Sequence, residues 1–132
     1  MKVRDSGMPE EEMWSVFFDP ARVLAEVRDF VTDGTGLDNN SMDAALLFNI
    51  LHHEEPVALM KEALRVLKPN GMLAVIHWNY DPATPRGPAL EIRPRPEQCI
   101  EWGVKAGFSF SAKNRYNLPP YHYGLLFKKQ FN

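Results

Sequence analysis

The chain has 132 residues, of which 45% are hydrophobic, 24% charged and 11% aromatic, a composition that suits one globular domain with one core. Fifteen Lys and Arg against seventeen Asp and Glu leave a net charge of -2, so no sequence-wide basic field invites nucleic acid. A single cysteine, Cys99, excludes an internal disulfide and a cysteine-built zinc site, and no apolar run approaches the roughly 20 residues that cross a bilayer, so the expectation is a cytoplasmic protein without membrane contact or bound metal.

Pro9 followed by Glu10, Glu11 and Glu12 opens a predicted helix, because proline gives up an amide that would be unpaired there and the carboxylates complement the helix dipole. Met13, Trp14, Phe17 and Phe18 form its apolar face. Asp19 and Pro20 repeat the start signal, and Val23, Leu24 and Val27 continue at helical spacing. Residues 25–31 fit two templates equally: a continued helix, or a strand in which Ala25, Val27, Asp29 and Val31 alternate with Glu26, Arg28 and Phe30. Gly34, Gly36, Asp38, Asn39, Asn40 and Ser41 read as a loop.

From Asp43 the unbroken apolar run Ala44-Ala45-Leu46-Leu47-Phe48 predicts a strand covered on both faces, and such strands belong to parallel sheets. Pro56 opens a helix with Val57, Met60, Ala63, Leu64 and Leu67 on one face, and Pro69-Asn70-Gly71 stops it. Met72-Leu73-Ala74-Val75-Ile76 is the second buried strand, completing a strand, helix, strand unit with a right-handed crossover expected. Residues 81–95 are a long proline-rich loop, and Pro96 opens a helix with apolar Cys99, Ile100, Trp102 and Ala106, capped by Gly107. Residues 108–116 and 123–129 then predict two antiparallel strands joined through Leu118-Pro119-Pro120-Tyr121.

The succession Asp43-Ala44-Ala45-Leu46-Leu47-Phe48-Asn49-Ile50-Leu51-His52-His53, then Leu64-Arg65-Val66-Leu67-Lys68-Pro69-Asn70-Gly71 and the next apolar strand, resembles the class I S-adenosylmethionine-dependent methyltransferases. In that family this pattern marks the fourth and fifth strands of a doubly wound sheet; Asn70 here stands in for the first glycine of a pair. The resemblance covers residues 29–129 and implies a truncated doubly wound α/β fold, Rossmann-like, with parallel strands and an antiparallel strand pair at its C-terminal end. It frames residues 1–132 as a single truncated methyltransferase-like domain, with a helical N-terminal segment over 1–27 and the C-terminal half of the sheet over 28–132. No G-x-G-x-G occurs, and Gly34-Thr35-Gly36 lacks the preceding strand and following helix of a phosphate-type cradle. The acid that holds the cofactor's ribose in the family has no counterpart either.

Carried over residue by residue, the resemblance implies that Asp29 accepts from the adenine amino group of S-adenosylmethionine and that Phe30 supplies the next backbone amide. A solvated loop acid beside a core aromatic is the competing reading. Asn49 leaves the first buried strand at the carboxyl end, where open α/β sheets place ligands, as a cofactor contact or a loop cap. His77 and Trp78 follow the second strand onto the same rim and, with Tyr121, His122 and Tyr123, form an aromatic, histidine-rich set suited to a methyl acceptor, or to packing. Adjacent His52 and His53 point apart and read as structural, Arg86, Arg93 and Arg95 as solvated, and Cys99 as an inert buried thiol.

Two functions follow from these residues. One is an S-adenosylmethionine-dependent methyltransferase-like protein with weakened or lost cofactor binding, its catalytic residue unnamed. The other is a non-catalytic, dimeric or partner-binding remnant of the same fold. Either way the first buried strand lacks its usual neighbour, so residues 25–31 move in beside it or a second copy pairs with it as a homodimer.

Overall fold

The computed structural model describes residues 25–130; the helix expected over residues 9–24 lies outside the described residues. Strand β1 (Met42–Phe48) leads through helix α1 (Pro56–Val66) to strand β2 (Leu67–Trp78), and helix α2 (Pro96–Ala106) precedes strands β3 (Arg115–Leu118) and β4 (His122–Lys128). The sheet order is β1-β2-β4-β3, with β1 and β2 parallel and the remaining pairs antiparallel. This is the mixed α/β sheet expected from the sequence.

Helix α1 starts at Pro56 because proline fixes the first-turn dihedral without wasting a hydrogen bond, and it buries Leu59, Met60, Ala63 and Val66. It ends three residues before the Pro69-Asn70-Gly71 stop signal, since Leu67 is drawn into pairing with Met42 and the Lys129 ammonium donates to the carbonyls of Leu64 and Leu67 at 2.8 and 2.7 Å. Pro69-Asn70-Gly71 instead lies within β2, where the pairing slips from Met42–Leu67 to Ala44–Met72. Asn70 takes the left-handed φ of 67° at this step, and a Cβ on Gly71 would stand 2.8 Å from the Lys68 carbonyl, so glycine is required there.

Leu47, Leu73, Val75, Tyr123, Leu125 and Phe127 form one core with α1 and α2. Phe127 packs against Phe108 and Phe110 and lies so close to Gly103 of α2 that a methyl group there would collide with its ring. Gly107 caps α2 with φ 118°, as expected from its position. The opposite sheet face carries no helix among the described residues, and there the structure corrects the sequence reading of β1. Leu47 alone in that strand is buried, whereas Leu46 is 62% and Phe48 47% exposed. An apolar run satisfies a two-sided burial pattern, but the second layer is not supplied by residues 25–130.

Two further expectations shift. Residues 25–31 are neither helix nor strand and do not pair with β1: the Asp29 carboxylate accepts from the amides of Val31 and Thr32, closing a turn that competes with regular structure. The strand expected over 108–116 is broken into a bridge between Ser109 and Lys128, a 3-10 turn at Ala112–Asn114 and the short β3. No helix of the described residues is long and apolar enough to cross a membrane.

Candidate functional site at the carboxyl rim

The strands β1 and β2 end side by side at Asn49 and Asn79, which defines the rim where ligands of such sheets collect. Asn49 turns the chain with φ 57°, a conformation asparagine tolerates, and its amide donates to the Ile76 carbonyl at 2.7 Å. Its placement is the one expected.

Asp29 is exposed, and its carboxyl is held below the usual carboxylate range by the backbone amides of Thr32 and Val31. Phe30, beside it, reaches the outer edge of β1 and lines an apolar recess of about 200 Å³ with Leu37, Ala45, Leu47, Leu59 and Ala63. Neither Asp29 nor Asn49 lines that recess. The loop 34–40 is pinned next to it: Glu62 of α1 accepts from the Thr35 amide at 2.7 Å and hydroxyl at 2.8 Å and pairs with Arg65, which holds the Glu62 carboxyl down to about 2. Arg65 also donates to the Leu37 carbonyl and the Asn39 side chain.

The set His77, Trp78, Tyr121, His122 and Tyr123 does not form one cluster. Successive strand residues point to opposite faces, so β2 sends His77 inward and Trp78 outward. His77 is fully buried, 3.2 Å from His52 and stacked on Tyr123, and burial pushes it down to about 4. A ring so placed is neutral and withdrawn from the rim, which corrects its assignment as a substrate contact. Trp78 turns to the other face, half-buried, 4.2 Å from the half-buried His122 ring and 6.4 Å from the exposed Tyr121, so these three form an aromatic group of their own at the rim. Tyr123 is core: its hydroxyl donates to the Pro94 carbonyl and meets Cys99, whose thiol burial raises to about 11.

The loop arginines divide as well. Arg86 is exposed, but Arg93 is buried and donates to the carbonyls of Asn79 and Pro88 and to the Thr84 hydroxyl, folding the long loop back on the end of β2. Nothing in the local sequence separates Arg93 from its neighbours. Arg95 lies 4.0 Å over the Tyr80 ring. His53 accepts from the Glu55 amide at the start of α1, a structural role as expected. Among the described residues, no three His, Cys, Asp or Glu side chains converge on a metal position.

The comparisons with known proteins agree with this architecture. A family profile described as a methyltransferase domain matches residues 19–75, which contain β1, α1 and most of β2. The fold is similar to that of a type 11 methyltransferase candidate from Sulfolobus solfataricus, with 29% identity over 76% of this chain and 57% of that one, at a TM-score of 0.62. It is similar to a SAM-dependent methyltransferase from Aquifex aeolicus, with 19% identity, coverage of 90% and 61%, and a TM-score of 0.71. It also resembles the 4+2 cyclase SpnF, with 18% identity, coverage of 93% and 62%, and a TM-score of 0.73. The chain therefore spans about 60% of the length of these structures, and no curated protein matches it. The chain is thus similar to methyltransferase domains in sequence over residues 19–75 and to S-adenosylmethionine-dependent methyltransferases in fold.

Proposed function

We propose that the chain is a methyltransferase-like protein that takes S-adenosylmethionine weakly, through the adenine end of the cofactor. The observation that carries this reading is Phe30 at the apolar recess beside β1, next to the ionised Asp29 and within the matched segment. The fit is partial. A recess of about 200 Å³ is smaller than the roughly 300 Å³ at which small-molecule pockets begin, and one Asp29 oxygen is already engaged by its own turn. When bound, the cofactor supplies an activated methyl group. Phe30 and Leu37 would exclude water from one side of its aromatic ring, Asp29 would accept from its amino group, and Asn49 would border it at the rim. Trp78 and Tyr121 would flank an acceptor with apolar, orienting surface.

In this reading residues 1–132 act as one cytoplasmic domain, with the 28–132 part carrying the rim and a second copy as its partner. Titration calorimetry with S-adenosylmethionine tests it: saturable heat that Phe30→Ala reduces supports the site, and no heat up to millimolar ligand overturns it. The second reading, a binding module without transfer chemistry, is favoured by His77. The titratable ring that the sequence places at the rim is buried and neutral, leaving no proton acceptor from β2 facing an acceptor substrate. A cofactor complex that methylates no oxygen or nitrogen nucleophile would decide for it. SpnF illustrates that this fold also serves a 4+2 cyclisation.

A further inference from the structure

His52 and His77 form a pair that the cofactor reading does not use. His77 lies fully buried at the end of β2, and its Nδ1 stands 3.4 Å from the carbonyl oxygen of Trp78. A carbonyl only accepts, so in the neutral ring the proton sits on Nδ1 and Nε2 carries a lone pair. That Nε2 is 3.2 Å from Nδ1 of His52, the two rings meeting edge to face at 75°. A bond between two ring nitrogens needs one proton, so His52 donates from Nδ1 and its own Nε2 is left as a second lone pair. Burial, with His53 beside it, holds His52 below the ordinary histidine value, and both rings are uncharged in neutral solution. Nothing among the described residues engages the second lone pair, and His52 lines an open cleft of about 460 Å³ between the β1–α1 loop and α2. Because Nδ1 is turned to the buried His77, Nε2 on the far side of the ring is the nitrogen left to the cleft. Leu51, Val57, Ile92 and the half-buried Trp102 give it apolar walls, while Glu54 and Glu55 from the loop and Lys105 from α2 are exposed.

We propose that this cleft binds an uncharged heteroaromatic molecule bearing one N–H, which donates to Nε2 of His52 while its ring lies against Trp102, and that His77 is the positioning residue that keeps this nitrogen an acceptor. The ligand class follows from what the cleft offers. Apolar walls with one indole among them favour a flat ring, and a lone pair at the wall favours a donor on it. An anion would face that lone pair and two carboxylates, and a cation would face Lys105, while charges this exposed are screened and add little. The adjacent histidines therefore divide. His53 accepts from the Glu55 amide at the start of α1, whereas His52 is held by a ring 25 positions away, a partner that the local sequence does not announce. The cleft shares no lining residue with the recess beside β1, so the site stands without the cofactor reading.

The test uses the full chain with indole as the probe and benzofuran, of the same shape but without the N–H, as its control. Nitrogen–proton NMR of the histidine rings in neutral solution shows His52 and His77 both protonated at Nδ1; a proton on Nε2 of His52 overturns the proposal before any variant is made. Indole then shifts the His52 and Trp102 ring signals to saturation and binds about fivefold or more tighter than benzofuran, the worth of one hydrogen bond. Equal binding of the two, or indole shifts confined to other residues, overturns the site. His52→Phe keeps a ring without an acceptor, so it removes the preference for indole and leaves benzofuran binding unchanged; a preference that survives it overturns the role of Nε2. His77→Phe frees the His52 proton to move to Nε2, which the ring signals report directly, and the preference for indole falls with it. A His52 that stays protonated at Nδ1 in that variant overturns the positioning role of His77. None of these outcomes depends on whether S-adenosylmethionine binds.

Discussion

The same four strands make a closed face and an open one. Toward the helices, β2 and β4 present Leu73, Val75, Leu125 and Phe127, each at or near complete burial. Away from them, Leu46, Phe48, Met72, Ala74 and Ile76 are exposed or half-buried although they are as apolar as their neighbours. Apolarity is therefore not what distinguishes the two sides. The closed face is closed because α1 and α2, each amphipathic, both return to the same side of the sheet. Among residues 25–130 the open face has the composition of a buried layer without a layer on it, and apolar surface of that kind is suited to contact.

Truncating the closed face has the largest expected effect. Phe127→Ala removes a ring enclosed by Phe108, Phe110 and Gly103 and should destabilise the fold by about 3–5 kcal/mol in denaturant unfolding. A loss below 1 kcal/mol would mean that the core collapses around the gap and that the contrast between the faces is weaker than the burial suggests.

Next in size is a pH effect, also confined to the closed face. His77 titrates at about 4 when folded, because burial excludes its charged form, against about 6.5 when unfolded. Between these values the unfolded chain binds the extra proton, so stability declines as pH falls from 6.5 to 4, by about 3 kcal/mol, and is unaffected by His77 above that window. The groups around the ring, His52, Arg93 and His122, all oppose its protonation, while the Trp78 carbonyl favours it. His77→Gln should flatten the slope of stability against pH in that interval. An unchanged slope would place the acid sensitivity elsewhere.

A smaller effect belongs to the loop beside the open edge. Glu62→Gln keeps the shape but removes the charge that gathers Thr35 and Arg65, and since this carboxylate is 15% exposed the loss should be about 1 kcal/mol. Faster proteolysis within residues 33–40 would accompany it; an unchanged cleavage rate would show that the Arg65 contacts alone hold the loop.

These regions also differ in how legible they are in sequence. The strand, helix, strand unit from β1 to β2 was readable because its apolar run, its i, i+3, i+4 spacing and Pro56 are local signals pointing to one answer. Gly107 as a cap and Asn49 as a rim turn were readable for the same reason. The rim's side-chain composition was not. His77 and Trp78 are adjacent in sequence and opposed in space, and that separation becomes visible only when strand alternation is applied at the strand's last residues. Arg93 was hidden for another reason: its partners, the carbonyls of Asn79 and Pro88, are backbone groups that no side-chain pattern announces. Whether β1 is covered on one face or two was equally beyond the sequence, since an apolar run looks the same in both cases.

The smallest expected effect is the one that probes the open side most directly. In a monomer, Leu46→Ala trims a side chain that is already 62% in water, so it should change stability by no more than about 0.5 kcal/mol. If the β1 edge meets a second copy, the same side chain lies at the centre of an interface, and its truncation acts on association as well as on folding. Stability of an associating protein rises with its concentration. The difference between wild type and Leu46→Ala should therefore be near zero in dilute solution and grow as concentration increases, whereas Phe127→Ala shows the same deficit throughout. A Leu46→Ala deficit that is small at every concentration would leave the open edge free in solution. One that is large even at high dilution would mean instead that residues of the same chain cover Leu46, and the contrast between the two faces would then belong to residues 25–130 alone.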